Sequence, residues 1–272
     1  MYFRHSTIEM MKKRRSCRTF SQRMIDPDTT SRIERILKEA SNPSFRFVLM
    51  QRPVNADGES IGSYGIIRGA NLFIAAVVKK DADLTELGAV FETIVLYCED
   101  AGLSSCWLGG TFSREGFIEK LKPAKDEYIP IVIPVGYSAT RSFAERLLRF
   151  GVRAGSRKQW KDLFFEGDFL TPLDQKGVDE FHIPLEMTRL APSAVNRQPW
   201  RIIRDAAGLH FYMKRSMNPE KYGFDMQMID MGIGIAHFVM AAKEQGIRGQ
   251  LVEKDPGYRT ELEYVRSWIA RQ

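Results

Sequence analysis

Residues 86–103 read ELGAVFETIVLYCEDAGL, and residues 230–247 read DMGIGIAHFVMAAKEQGI. The two stretches align without a gap. Glu86-Leu87-Gly88 falls on Asp230-Met231-Gly232, Val95 on Val239, Asp100 on Glu244, and Ala101-Gly102-Leu103 on Gln245-Gly246-Ile247. In the first copy Leu87, Val90, Phe91, Ile94, Val95, Cys98 and Ala101 recur at helical spacing, so a helix with one apolar face is expected there. Gly102 ends it, because glycine alone enters the left-handed C-terminal turn cheaply. The second copy predicts a long helix from Met231 to Gln245, stopped by Gly246. Two amphipathic helices can agree this far by chance. A constant offset of 144 residues (232 − 88 and 246 − 102) is also what a duplicated unit gives in a chain of 272. Two repeats suit a pseudo-symmetric pair, since a solenoid needs about three or more.

Outward from these helices the two halves share an order of elements. In the first, Ile8 to Arg15 reads as a helix. Asp26-Pro27 reads as an N-cap with proline at the first helical position, followed by Ile33, Ile36, Leu37 and Ala40 at helical spacing. Phe45–Met50 and Asn71–Val78 are strand candidates, as is Ile129–Val135, which prolines interrupt. In the second half Leu185–Leu190 reads as helix, Trp200–Arg204 as extended chain and Leu209–Met213 as an alternating strand. The arginine-rich stretch Thr140 to Ser156 reads as a linker. The expectation is an α+β chain with one half over residues 1–145 and a linker plus second half over residues 146–272, the two forming one compact pseudo-dimer.

Hydrophobic residues make up 44% and charged residues 27%, as in ordinary soluble globular proteins. No apolar run approaches the length of a transmembrane helix, and no apolar core follows the basic residues of the N-terminal stretch, so neither a membrane span nor a secretory signal is expected. Three cysteines, Cys17, Cys98 and Cys106, fit neither a disulfide framework nor a zinc site, which points to a reducing cytoplasm. The four histidines are scattered, and no metal is expected. The net charge of +6 is spread along the chain. Its one dense run, Lys12-Lys13-Arg14-Arg15, suits a solvated helix end, a nucleic-acid patch or a small anionic ligand; nucleic acid is not the expected partner.

Three local patterns carry chemistry. The first is Arg14-Arg15-Ser16-Cys17-Arg18-Thr19-Phe20. Three guanidinium groups and a hydroxyl within five residues repel one another unless an anion sits among them, and the arginine fork with a serine hydroxyl suits phosphate. The second is Ala191-Pro192-Ser193-Ala194-Val195-Asn196-Arg197-Gln198-Pro199-Trp200. Its small residues let backbone approach a flat ligand, while Asn196 and Gln198 offer paired donors and acceptors; a proline-stiffened turn between helix and strand would look the same. The third is Gly102-Leu103-Ser104-Ser105-Cys106-Trp107-Leu108-Gly109-Gly110-Thr111-Phe112. Its double glycine permits close approach of backbone, and a plain loop before a helix capped by Ser113 is the other reading.

The order RRSxR, then GLxxCWLGG, then APSAxNxQPW resembles the nitroreductase family, and within it the branch in which one polypeptide carries both halves of what is usually a homodimer. The resemblance runs from about Ile8 to Leu251. It implies a nitroreductase-like fold with mainly antiparallel sheets flanked by helices, and an FMN between the halves. Arg14, Arg15, Ser16 and Arg18 would hold the phosphate and ribityl end, joined by the later basic pair Arg157-Lys158. Trp107, Leu108, Gly109 and Gly110 would run along one side of the isoalloxazine. Pro192, Ser193, Ala194 and Asn196 would come from the opposite half, with Gln198 beside them. Ser63 and Tyr64, within Gly62–Gly65, fall where the family reaches the ring from below; the lysine often found there is missing.

The resemblance further implies an oxidoreductase that takes a hydride from NAD(P)H and then, by a ping-pong mechanism, reduces a nitroaromatic, a quinone or a similar small-molecule acceptor. The flavin N5 would carry the chemistry, so no catalytic side chain is assigned. No GxGxxG fingerprint is present, so FMN is expected rather than FAD, and NAD(P)H would visit the flavin without a Rossmann site. A flavin storage or sensor protein with little turnover is the alternative, and a basic module for nucleic acid or an anionic metabolite is a third reading. The second half has Leu163-Phe164-Phe165-Glu166-Gly167-Asp168 where a second arginine–serine cluster would stand, and the first half lacks an APSAxNxQPW segment. One FMN per chain, with a monomer sufficient to hold it, is therefore expected.

Overall fold

A computed structural model describes residues 2–52, 67–139 and 156–270. Ser63 and Tyr64, with the rest of Gly62–Gly65, and residues 140–155 of the linker lie outside the described residues. In chain order the elements are α1 (Thr7–Lys13), α2 (Pro27–Ala40), β1 (Phe45–Gln51), β2 (Leu72–Lys79), α3 (Leu84–Asp100), β3 (Ser104–Ser105), α4 (Glu115–Leu121), β4 (Glu127–Tyr128), β5 (Val132–Gly136), β6 (Phe164–Glu166), α5 (His182–Leu190), β7 (Trp200–Arg204), β8 (Leu209–Met213), α6 (Met226–Glu244), β9 (Gly249–Val252) and β10 (Glu263–Ala270). The class is α+β. None of the described helices is long and apolar enough to cross a membrane.

The chain divides into two compact units. The first comprises Met1–His5, Lys13–Asp83 and Thr93–Gly151; the second comprises Ser6–Lys12, Leu84–Glu92 and Val152–Gln272. The sheet of the first unit runs β1-β2-β5-β3, with β4 also paired to β2, and every pairing is antiparallel. Its central strand β2 is LFIAAVVK, buried over Phe73–Val78, which is why it reads as a continuous apolar run rather than an alternation. Phe73, Phe112 and Phe117 stack edge to face in the core beneath it. Asp26 accepts from the Thr29 amide and Pro27 opens α2, as the sequence predicts.

The sheet of the second unit runs β6-β7-β8-β10-β9, antiparallel except for β6 beside β7. Helix α6 is buried on nearly every side and starts at Met226, five residues before the expected Met231. The reason is local: Asp225 caps it, accepting from the Gln227 and Met228 amides, and a helix apolar all round gives no stripe from which to read its start. Ser113 does not cap α4. The N-cap is Arg114, without a side-chain capping bond, and the Ser113 hydroxyl turns instead to the Glu115 carboxylate.

Within the second unit the first turns of α3 cross α6 at two glycines. A Cβ on Gly88 would lie 2.2 Å from the Ile229 carbonyl oxygen, and one on Gly232 2.0 Å from the Thr85 carbonyl oxygen. The contacts are reciprocal under the repeat offset (232 − 88 and 229 − 85 are both 144). That is the isologous pattern of a local two-fold relation between the two helices, and it supplies a physical ground for the aligned glycines. Both helices end as expected, with Gly102 at φ 78° and Gly246 at φ 76°. Beside the crossing, His237 and Glu92, both fully buried, meet at 2.9 Å through Nε2, while His237 Nδ1 lies 2.9 Å from the Met187 carbonyl oxygen.

Candidate functional site

From Lys13, the last residue of α1, the chain runs on extended within the first unit. That chain is stitched to its neighbours by backbone hydrogen bonds. The Cys17 amide donates to the Ser105 carbonyl and the Phe20 amide to the Arg68 carbonyl, each at 2.8 Å. The Arg68 amide donates to the Arg18 carbonyl at 2.8 Å, and the Ala139 amide to the Thr19 carbonyl at 3.0 Å. The arginine–serine stretch is therefore a braced strand edge, not a frayed helix end. Ser16 bridges Ser105, which sets it two residues from Trp107.

Arg14 is only 5% exposed. Arg15 is exposed, its Nη1 donating to the Arg14 carbonyl at 2.8 Å. Arg18 is half-buried, and its Nη1 is enclosed with no hydrogen-bond partner among the described residues. The neighbouring acid is Glu99 on α3. Burial pushes its carboxyl above the usual range, against the opposing fields of Arg14, Lys13 and Arg15. An enclosed donor without an acceptor costs about 1–3 kcal/mol, and an oxyanion is the partner that a guanidinium fork fits.

Leu108 anchors the glycine run. It is 2% exposed, packs in the core, and exchanges two backbone hydrogen bonds of 3.0 Å with Val132. Trp107 and Gly109 stay partly exposed and Gly110 exposed. Arg114, which sequence reasoning passed over, ties the loop down: Nη2 donates to the Gly109 carbonyl at 2.7 Å and Nε to the Ile129 carbonyl at 3.0 Å.

In the second unit, the loop after α5 holds three non-glycine residues in left-handed conformation: Val195 (φ 49°), Asn196 (φ 55°) and Gln198 (φ 49°). Asparagine tolerates this region, but a β-branched valine does not unless its surroundings impose it. The braces are visible. The Gln198 amide donates to Ser193 Oγ at 2.8 Å. Arg157 Nη1 donates to Asn196 Oδ1 at 3.2 Å, and its Nη2 donates to the Leu190 carbonyl at 2.9 Å. Gln198 is 3% exposed; its Oε1 accepts from the Lys158 amide at 2.8 Å and its Nε2 donates to the Asn196 carbonyl at 3.2 Å. Arg157 and Gln198, both expected at a ligand, thus also brace the loop. The half-buried Lys158 ammonium has its pKa lowered by burial and by Arg201, Lys214 and Arg197, opposed by Asp162.

Pro192, Ser193, Ala194 and Asn196 remain partly exposed on this loop. Beneath it stands Asp230, which sequence reasoning had only as part of the helix alignment. It is 3% exposed, and its two oxygens lie 2.9 and 3.1 Å from the Ala194 amide nitrogen. Burial pushes its carboxyl up to about 8, the Ala194 bond opposing and Asp225 adding to the rise. The signal was one acid inside the apolar run MQMIDMGIGIAHF, where a charge needs a reason.

Comparison with known proteins places the chain in a family. A family model described as "Putative TM nitroreductase" matches residues 6–242. A solved structure described as a putative nitroreductase of Thermotoga maritima is 22% identical, with a TM-score of 0.62, covering 99% of this chain and 95% of that one. Single-unit structures match about half the chain. An FMN-dependent nitroreductase of Clostridium difficile is 20% identical with a TM-score of 0.40, over 50% of this chain and 89% of its own. An FMN- and NADPH-dependent nitroreductase of a Sphingopyxis strain is 13% identical with a TM-score of 0.37, over 49% of this chain and 89% of its own. No curated protein matches the chain. The α+β architecture is thus nitroreductase-like, and with the family model matched over most of its length this chain belongs to the nitroreductase family described as "Putative TM nitroreductase".

Proposed function

We propose that this protein is an FMN-dependent oxidoreductase that draws reducing equivalents from NAD(P)H and passes them to nitroaromatics, quinones or similar small acceptors. The observation that carries the reading is Arg18 Nη1, enclosed without a hydrogen-bond partner among the described residues, in the same arginine–serine stretch as the nearly buried Arg14. Arg14, Arg15, Ser16 and Arg18 hold the terminal phosphate. Within the first unit Gly109 and Gly110, next to the Trp107 indole, leave backbone open to a flat ring; within the second unit the small residues Pro192, Ser193 and Ala194, with Asn196, are suited to the same kind of ligand. Leu108, Arg157 and Gln198 fix the loops that carry these contacts. Bound FMN supplies hydride acceptance and donation; the chain supplies binding, orientation and electrostatics. FMN rather than FAD follows from one compact phosphate cluster without a dinucleotide fingerprint.

The sequence holds one arginine–serine cluster and one APSAxNxQPW segment, so one FMN per chain suffices, without an obligatory second copy. Heat-release of the bound flavin with chromatographic identification, beside sedimentation, tests this. FMN at a ratio near one on a monomer is expected; mainly FAD, a ratio near two, or no flavin after reconstitution overturns it. Steady-state NAD(P)H oxidation with menadione or a nitroaromatic tests turnover. A yellow protein that fails to turn over is a flavin store or sensor instead.

A further inference from the structure

We propose that Asp230 is the positioning residue of the Pro192–Gln198 loop: its carboxyl grips the Ala194 amide and so fixes the left-handed run that follows, with a strength set by whether the carboxyl is charged. The proposal rests on the reading of that loop as a flavin contact. Asp230 rises from the second turn of α6, a helix otherwise buried and apolar around it. Both its oxygens converge on one backbone N–H, and it makes no ion pair with any described residue. A buried acid at that place costs free energy, and an amide or an apolar residue could fill the volume without the desolvation. What the carboxyl adds is a fixed acceptor under the first residue of the strained stretch. Without that grip, Val195 at φ 49° and 60% exposed has little packing to hold it in a region valine disfavours.

The charged neighbours of Asp230 are few. On its own helix Asp225, the N-cap, raises its pKa; the loop presents the Ala194 amide, which lowers it. From α5 comes Thr188, an uncharged hydroxyl donating to the Gly234 carbonyl at 3.3 Å. From α3 the backbone of Thr85 and Gly88 faces α6, with Glu86 as the acid of that turn. With its pKa near 8, the carboxyl is mostly protonated at neutral pH and gains its charge as the solution turns alkaline. The charged form binds the Ala194 amide more strongly, because charge-assisted hydrogen bonds are roughly twice as strong as neutral ones.

Amide hydrogen exchange on the full chain, with and without added FMN, tests this through Asp230→Leu and Asp230→Asn. Asp230→Leu removes the acceptor. It is expected to speed exchange at Ala194 about tenfold, the factor for one lost hydrogen bond, and to weaken FMN by a similar factor. Asp230→Asn keeps an acceptor of the same shape and is expected to leave both within about threefold of wild type. The pH profile separates this role from mere filling of space. Wild-type protection at Ala194, corrected for intrinsic exchange, rises from about pH 6.5 to about pH 9.5 as the group ionises, whereas the profile of Asp230→Asn is flat. Unchanged exchange in a folded Asp230→Leu overturns the proposal, as does a wild-type pH profile in Asp230→Asn, which decides the matter even where the leucine variant does not fold. Altered exchange with unaltered FMN affinity overturns the positioning role. A wild type that binds no FMN, yet shows these exchange effects, overturns the flavin reading and leaves the grip on the loop standing.

Discussion

Gly232→Ala should destabilise this protein although alanine is the better helix former. The new Cβ would sit 2.0 Å from the Thr85 carbonyl oxygen and 2.9 Å from the Ala89 amide nitrogen. Carbon–oxygen contacts of this kind settle at about 3.3–3.6 Å, so α6 and the first turns of α3 must part by roughly 1 Å. The obstructing atoms are helix backbone, and no rotamer change relieves them. Alanine for glycine in a helix interior returns about 1 kcal/mol. Overpacking costs about 1–3 kcal/mol, and parting two packed helices forfeits dispersion along their contact. The net loss is expected to be about 1–3 kcal/mol, read as a lower urea midpoint at unchanged slope. The reciprocal contact adds a sharper test. Gly88→Ala, with its Cβ 2.2 Å from the Ile229 carbonyl oxygen, should cost a similar amount. Because one displacement of the helices relieves both clashes, the double variant should cost clearly less than the sum of the singles. A neutral or stabilised Gly232→Ala, or a fully additive double variant, would refute the reasoning.

Arg14→Ala and Arg18→Ala should each weaken FMN by roughly one to two decades in Kd, the worth of one charge-assisted hydrogen bond, with the circular dichroism unchanged; equal affinity in both variants would misplace the phosphate. Glu92→Leu should cost about 1–3 kcal/mol in urea unfolding, because it leaves the fully buried His237 Nε2 without its 2.9 Å partner; a stability equal to wild type would show that the pair is replaceable by apolar packing. Val195→Asn should stabilise the chain by about 1 kcal/mol, since asparagine enters the left-handed region that valine resists and the 60% exposed side chain gives up little burial. A loss of stability there would mean that the valine makes a contact the loop needs.

Much of this fold was legible along the chain. Trp200–Arg204 and Leu209–Met213 are strands residue for residue as expected, because a short apolar run and an alternation flank the turn at Gly208. Gly102 and Gly246 stop the two long helices because their left-handed φ is a property of the residue itself. The alignment of the two long helices at an offset of 144 residues was also readable, and the crossing at Gly88 and Gly232 gives its paired glycines a physical ground. Strands β9 and β10 were not foreseen. Glu263–Ala270 carries a mixed pattern with a register shift between Tyr264 and Arg266, and a bulge of that kind breaks the alternation by which a strand is recognised.

For the site, the sequence determined which chemical groups are present: an arginine–serine cluster, a tryptophan–glycine run, and a loop of small and amide residues. Each is a local string, and local strings carry their own composition and turn chemistry. What each side chain does was decided only in three dimensions. Gln198 and Arg157 brace the loop, Leu108 is core, Arg114 pins Gly109, and Asp230 holds Ala194 from below. Three of those partnerships join residues 36 to 40 positions apart, Asp230 to Ala194, Arg157 to Asn196 and Lys158 to Gln198. Hydrogen bonding at that range depends on which elements pack together, and buried polar groups take the partners that packing supplies.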